Sequence, residues 1–141
     1  MRLMIRVLAI LAAVAAVAAF APAGQAQTLT GAKAQKSAQA DAFLAYEKAL
    51  IAGGLDAARP YMTAAKVDDL QGMAKAFGED GFKQFLDRMR SGAQGEARRK
   101  QIEKVEVKGD YAVLEARDGP HAVTVQHLQK MADGWKVSVK P

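Results

Sequence analysis

The 141-residue chain has no cysteine, two histidines and a single tryptophan. Without a thiol there can be no disulfide, no cysteine nucleophile and no lipidated N-terminal cysteine. The sequence also lacks a phosphate-binding glycine loop, a nucleophile elbow and any run of histidines and carboxylates at metal-ligand spacing. His121 and His127 lie on one strand roughly 20 Å apart, too far to share an ion. No metal and no cofactor are therefore expected. Adjacent arginines are missing near the N-terminus, which argues against a twin-arginine export signal. Basic residues outnumber acidic ones, giving a formal charge of +5, but they are scattered. Only Arg88, Arg90 and the run Arg98-Arg99-Lys100 cluster, and no aromatic residue lies between Phe85 and Tyr111. A nucleic-acid reader needs a basic patch interleaved with aromatics, so no nucleic-acid partner is expected. These cations read instead as solvated surface between a helix end and a strand start.

What is present begins with an address. Arg2 and Arg6 precede an apolar, alanine-rich run from Val7 to Phe20, followed by Pro22 and the small-residue stretch Ala23-Gly24-Gln25-Ala26. Basic, apolar and then small is the order of a secretory signal peptide. Residues 1–26 are assigned to it, with cleavage after Ala26 preferred over cleavage after Ala23. As a permanent anchor the run would be short and only weakly apolar. The mature product is expected to be periplasmic or secreted, with no stable membrane anchor.

Residues 27–39 are small and polar, and read as a flexible lead-in to a single domain at 40–141. Phe43, Leu44, Glu47, Leu50 and Ile51 then recur at helical spacing, with Tyr46 at the border of the face, until Gly53-Gly54 ends the helix. Thr63 is a cap candidate for a second stripe, Val67, Leu70, Met73 and Phe77. Asp80 precedes a third, Phe82, Phe85, Leu86 and Met89. Beyond Gly92–Gly95 the period changes to two. Turn signals at Gly109-Asp110, Asp118-Gly119-Pro120 and Asp133-Gly134 separate four strands. In the last, Trp135, Val137 and Val139 share one face and Lys136, Ser138 and Lys140 the other. One buried and one solvated face suit an antiparallel sheet covered by helices on one side. The expected class is α+β: N-terminal helices on a four-stranded meander.

"DAFLAYEKALIAGGLDAARPYM" (residues 41–62), "KVEVKGDYAVLEA" (104–116) and "DGWKVSVKP" (133–141) resemble the opening helix, hairpin and closing strand of nuclear transport factor 2-like domains. The resemblance spans nearly the whole mature chain as a pattern of elements, without an invariant motif. It implies a curved sheet wrapped around a long helix, a cone whose mouth can hold a small molecule. A cystatin-like fold is the alternative. The superfamily includes isomerases, dehydratases and cyclases, but none of their catalytic motifs aligns here.

The pocket-lining candidates are Phe43, Tyr46, Glu47, Leu50, Val123, Val125, His127 and Trp135. His127 shares strand parity with Val123 and Val125, so it is expected on the concave face, neutral and without a carboxylate partner. Glu47 lies on the apolar face of the first helix. Tyr46, Tyr61 and Tyr111 are mouth candidates, and Asp68-Asp69 reads as solvated. The leading expectation is an exported, non-catalytic domain that binds a small apolar ligand or a protein partner through its cone or sheet. One alternative is an isomerase-, dehydratase- or cyclase-type enzyme using His127 with a carboxylate such as Glu47. The other is a structural accessory domain that self-associates through the sheet as a homodimer.

Overall fold

The structure is a computed structural model, and it describes residues 26–141. All but the last residue of the expected signal peptide thus lies outside the described residues. The chain is α+β, with helices covering one face of an open five-stranded antiparallel sheet in the order β1-β2-β3-β4-β5. The strands are β1 (Gln27–Thr30), β2 (Ile102–Lys108), β3 (Tyr111–Arg117), β4 (Val123–Met131) and β5 (Gly134–Ser138).

The sheet has five strands where four were expected, and the additional one corrects the reading of residues 27–39. Leu29 pairs with Val105 and Gln27 with Val107, so the expected lead-in supplies the edge strand β1. It continues into the short helix α1 (Gly31–Gln35), where Ala34 is buried. The segment has too few large apolar residues to show a period of its own. Backbone pairing to β2 and the Gln35 amide, 3.3 Å from the Lys100 and Ile102 carbonyls, hold it instead.

Helix α2 (Ala38–Ala58) starts at Ser37, whose hydroxyl accepts from the Ala40 amide. It buries Phe43, Tyr46 and Leu50 on one face and is interrupted at Gly54, where φ is 71°. That left-handed conformation is one glycine takes without steric cost. A 3-10 turn at Arg59–Tyr61 leads to Met62, which bridges Val137 in parallel on the open edge of β5. The Thr63 amide donates to the Val137 carbonyl at 2.9 Å. Thr63 also caps α3 (Ala64–Ser91), as expected, and its hydroxyl lies 3.0 Å from that of Ser138. Gly78, at φ 73°, breaks α3 just before the expected Asp80 start.

The core forms where α2 meets the middle of the sheet: Phe43 and Leu50 against Ile102, Val105, Leu114, Leu128 and Val137. Ile102 and Val105 are three residues apart, yet both face inward because a register shift between Ile102 and Lys104 inserts Glu103 as an extra residue. Helix α3 packs differently. Over its 28 residues only Leu70 is fully buried, and Phe77, at the end of its expected stripe, is 63% exposed. The last helix, α4 (Gly95–Lys100), is a single turn and a half that carries Arg98 into the interior.

Candidate functional site

Two cavities flank α2. The larger, about 580 Å³, lies between α2, α3 and the inner face of β4. Its walls include Phe43, Leu70, Met73, Phe85 and Met89, and its floor includes Glu47, Arg98, Asp118, Thr124 and Gln126. The smaller, about 390 Å³, lies between α2 and the segment running from Ala93 into α4, and includes Leu44, Ile51 and Gln94. Glu47, Arg98 and Ala93 line both, so the Glu47–Arg98 pair stands in the wall between them.

Arg98 organises the floor. It is only 7% exposed and its guanidinium carbon lies 5.3 Å from the centre of the Phe43 ring. Nε donates to Glu47 Oε1 at 2.8 Å, and Nη1 donates to Gln101 Oε1 at 2.8 Å and to Asp118 Oδ1. Nη2 reaches Glu47 Oε2 at 3.4 Å and Thr124 Oγ1 at 3.5 Å. Thr124 donates its hydroxyl proton to Asp118 Oδ2. One cation thus ties α2, α4, the β3–β4 turn and β4 together. This corrects the reading of Arg98 as solvated surface: α4 starts at Gly95 and turns this one of three consecutive cations inward. A buried guanidinium needs its charge compensated, and two carboxylates do so.

The titration of these groups follows from that geometry. Burial raises the Glu47 pKa above its ordinary 4.5; the Arg98 hydrogen bond and charge pull it back in part, and the Asp118 charge adds to the rise. Burial also raises Tyr46, with the charges of Glu47 and Asp69 acting in the same direction. For Arg98, burial disfavours the cation, but the hydrogen bonds and charges of Glu47 and Asp118 prevail and hold its pKa above the ordinary value. At the rim Lys66 pairs with Asp69 at 3.3 Å, and Arg88 is exposed.

Of the eight pocket candidates, Phe43, Tyr46 and Glu47 line the larger cavity. Leu50 is fully buried in the core, and Trp135 is half-buried against the core and lines neither cavity. Val123, Val125 and His127 require a correction. Leu128 is 0% exposed and pairs with the buried Ala112 and Val137, which puts Thr124, Gln126 and Leu128 on the inner face. Val123, Val125 and His127 therefore face outward, and Val125 is 55% exposed. Parity was expected to follow hydrophobicity, but part of the inner face of β4 lines a cavity and is polar there. The sheet separates His127 from Glu47, so the two cannot act on one substrate. Tyr61 and Tyr111 are exposed, and Tyr111 sits on the outer face. Asp68 is exposed, while Asp69 lies at the cavity rim.

The sequence reading missed Arg98, Asp118, Thr124 and Gln126. Asp118 was legible only as a turn residue. Thr124 and Gln126 did carry a signal: two polar residues at inward parity in a strand whose next inward position is Leu128. Among the described residues no group of three or more histidines and carboxylates is placed to hold a metal ion. No helix among them is long and apolar enough to cross a membrane. No family model, curated protein or solved structure matches the chain.

Proposed function

We propose that the chain is an exported, non-catalytic domain of the nuclear transport factor 2-like type that holds a small, mainly apolar ligand between α2, α3 and the sheet. The observation that carries this reading is the cavity of about 580 Å³, whose apolar wall of Phe43, Leu70, Met73, Phe85 and Met89 lies between the polar group around Arg98 and the charged Lys66, Asp69 and Arg88. That size and lining are typical of small-molecule sites. The polar floor is largely engaged in its own hydrogen bonds, which suits a container better than a reaction centre. Export fits the signal-like N-terminus, and β1 begins at Gln27, directly after the preferred cleavage site. An isomerase-type enzyme would have to work without His127, relying on Glu47 and Asp118 around Arg98.

Native mass spectrometry of protein purified from the periplasm tests the reading. A retained small molecule, released on denaturation, is the expected result. A protein that arrives empty and takes up no apolar probe counts against it.

A second reading, self-association, has its own support. Tyr111, Val123, Val125 and Met131 all lie on the outer sheet face and are 42%, 45%, 55% and 40% exposed. Val123 and Val125 lie towards one end of β4, and Met131, with Tyr111 opposite Gln129, towards the other; exposed apolar surface on a sheet face can serve association. If the face pairs with a second copy, Val125→Glu converts a concentration-dependent dimer into a monomer in sedimentation. Monomeric wild-type protein at all concentrations rules this reading out.

A further inference from the structure

Resting on the cavity reading, the polar groups around the larger cavity differ in what they have left to bind. Its charged side chains balance, Glu47, Asp69 and Asp118 against Lys66, Arg88 and Arg98, so the charge of a ligand is not what the lining singles out. Arg98 is engaged at every nitrogen, and the Thr124 hydroxyl gives its proton to Asp118. Lys66 and Arg88 have N–H groups to spare, but Lys66 already holds Asp69 and Arg88 is exposed.

Tyr46 differs from all of these. It is 5% exposed, lies with Phe43 and Leu50 on the buried face of α2, and lines the cavity. Buried tyrosines usually find a hydrogen-bond partner for the hydroxyl. Among the described residues the Tyr46 hydroxyl makes no hydrogen bond, whereas every polar side-chain atom fully closed off from solvent has a partner. The little exposure that Tyr46 keeps therefore includes its hydroxyl, and the space it meets is the cavity. Burial and the charges of Glu47 and Asp69 raise its pKa, so the oxygen keeps its proton and can donate it.

We propose that Tyr46 is the polar anchor of the cavity, and that the ligand is a mainly apolar molecule whose acceptor oxygen, such as an ester carbonyl, receives a hydrogen bond from the Tyr46 hydroxyl. A molecule without such an oxygen covers the hydroxyl and leaves it unpaired, which is unfavourable. The apolar remainder lies along Leu70, Met73, Phe85 and Met89.

The test is isothermal titration of wild type and Tyr46→Phe with methyl benzoate and with propylbenzene, the same skeleton without the oxygens. Phenylalanine keeps the ring and its packing, and the hydroxyl lost has no protein partner, so the thermal melt is expected to stay in place. The substitution is expected to weaken methyl benzoate about fivefold, the scale of one hydrogen bond, and to leave propylbenzene unchanged. Wild type alone decides the matter if the variant folds poorly. Methyl benzoate labelled with carbon-13 at the carbonyl is expected to resonate, when bound, at higher frequency than in an apolar solvent. A bound signal at the apolar-solvent position overturns the anchor. Weakening of both probes equally, or of neither, also overturns it while leaving the cavity reading intact. So does weakening of methyl benzoate by Lys66→Met but not by Tyr46→Phe. No saturable binding of either probe overturns both readings.

Discussion

Helices α2 and α3 cover the same sheet, yet they are built for different purposes. Helix α2 buries Phe43, Tyr46 and Leu50 against strands whose inner residues are Val105, Leu114 and Leu128. Helix α3 is longer but fully buries only Leu70, while Met73, Phe85 and Met89 stay half-buried along the larger cavity. The difference extends to the sheet. Beneath α2 its inner face is aliphatic; beneath α3 it presents Thr124 and Gln126. Stability thus resides mainly in the α2 half, and the open space in the α3 half. Arg98 sits at the boundary, stacked on Phe43 and bonded to Asp118.

That division can be broken at its boundary. Arg98→Met leaves Glu47 and Asp118 without their cation and should cost about 3–5 kcal/mol, the range for removing one partner of a buried pair. Adding Glu47→Gln should restore part of the loss. Denaturant unfolding of the single and double variants checks this. A single variant as stable as wild type would mean that Arg98 does not hold the halves together.

Within the α2 half, Leu114→Ala should cost about 2–5 kcal/mol, because the residue is fully buried. In the α3 half Met73→Ala should cost only about 1 kcal/mol, as its side chain already borders open space. Equal losses in the same unfolding assay would erase the contrast.

Acidity gives a smaller, signed effect. The Glu47 pKa is raised in the folded chain above its ordinary 4.5. The folded state therefore binds this proton more readily than the unfolded state does. Its contribution to stability is fully present below 4.5 and is lost as pH rises through the folded value. The stability of wild type relative to Glu47→Gln should accordingly increase on going from pH 7 towards pH 5. Thermal melts of both proteins across that range read the difference directly, and a relative loss on acidification would reverse the assignment.

The smallest effects belong to the outer face. Val125→Thr should change stability by less than about 0.5 kcal/mol. His127→Gln should leave apolar ligand binding unchanged, since the sheet lies between that side chain and the cavity.

Much of this division was legible in the sequence, but not its polar half. The stripe of Phe43, Glu47 and Leu50 placed α2, and three turn signals placed β2 to β5, because both patterns arise from burial along a regular element. Edge strand β1 was invisible, since only Leu29 of Gln27–Thr30 packs on the core and backbone pairing holds the rest, which leaves no hydrophobic alternation. The inward face of β4 was misassigned for a related reason. Hydrophobicity marks the buried face only where that face is packed, and Thr124 and Gln126 line a cavity instead. Arg98 was illegible because its compensating carboxylates come from distant segments, 51 residues back at Glu47 and 20 ahead at Asp118.

The methionines supply a direct probe of the central claim. Met73 and Met89 line the larger cavity, Met62 is buried elsewhere in the core, and Met131 lies on the outer face. Methyl-labelled protein titrated with decanol and followed by NMR reports on all four at once. The account predicts that the Met73 and Met89 methyl signals move together and saturate, while Met131 stays in place. Saturable movement of Met131 with Met73 and Met89 unchanged would put the ligand on the outer face and contradict it.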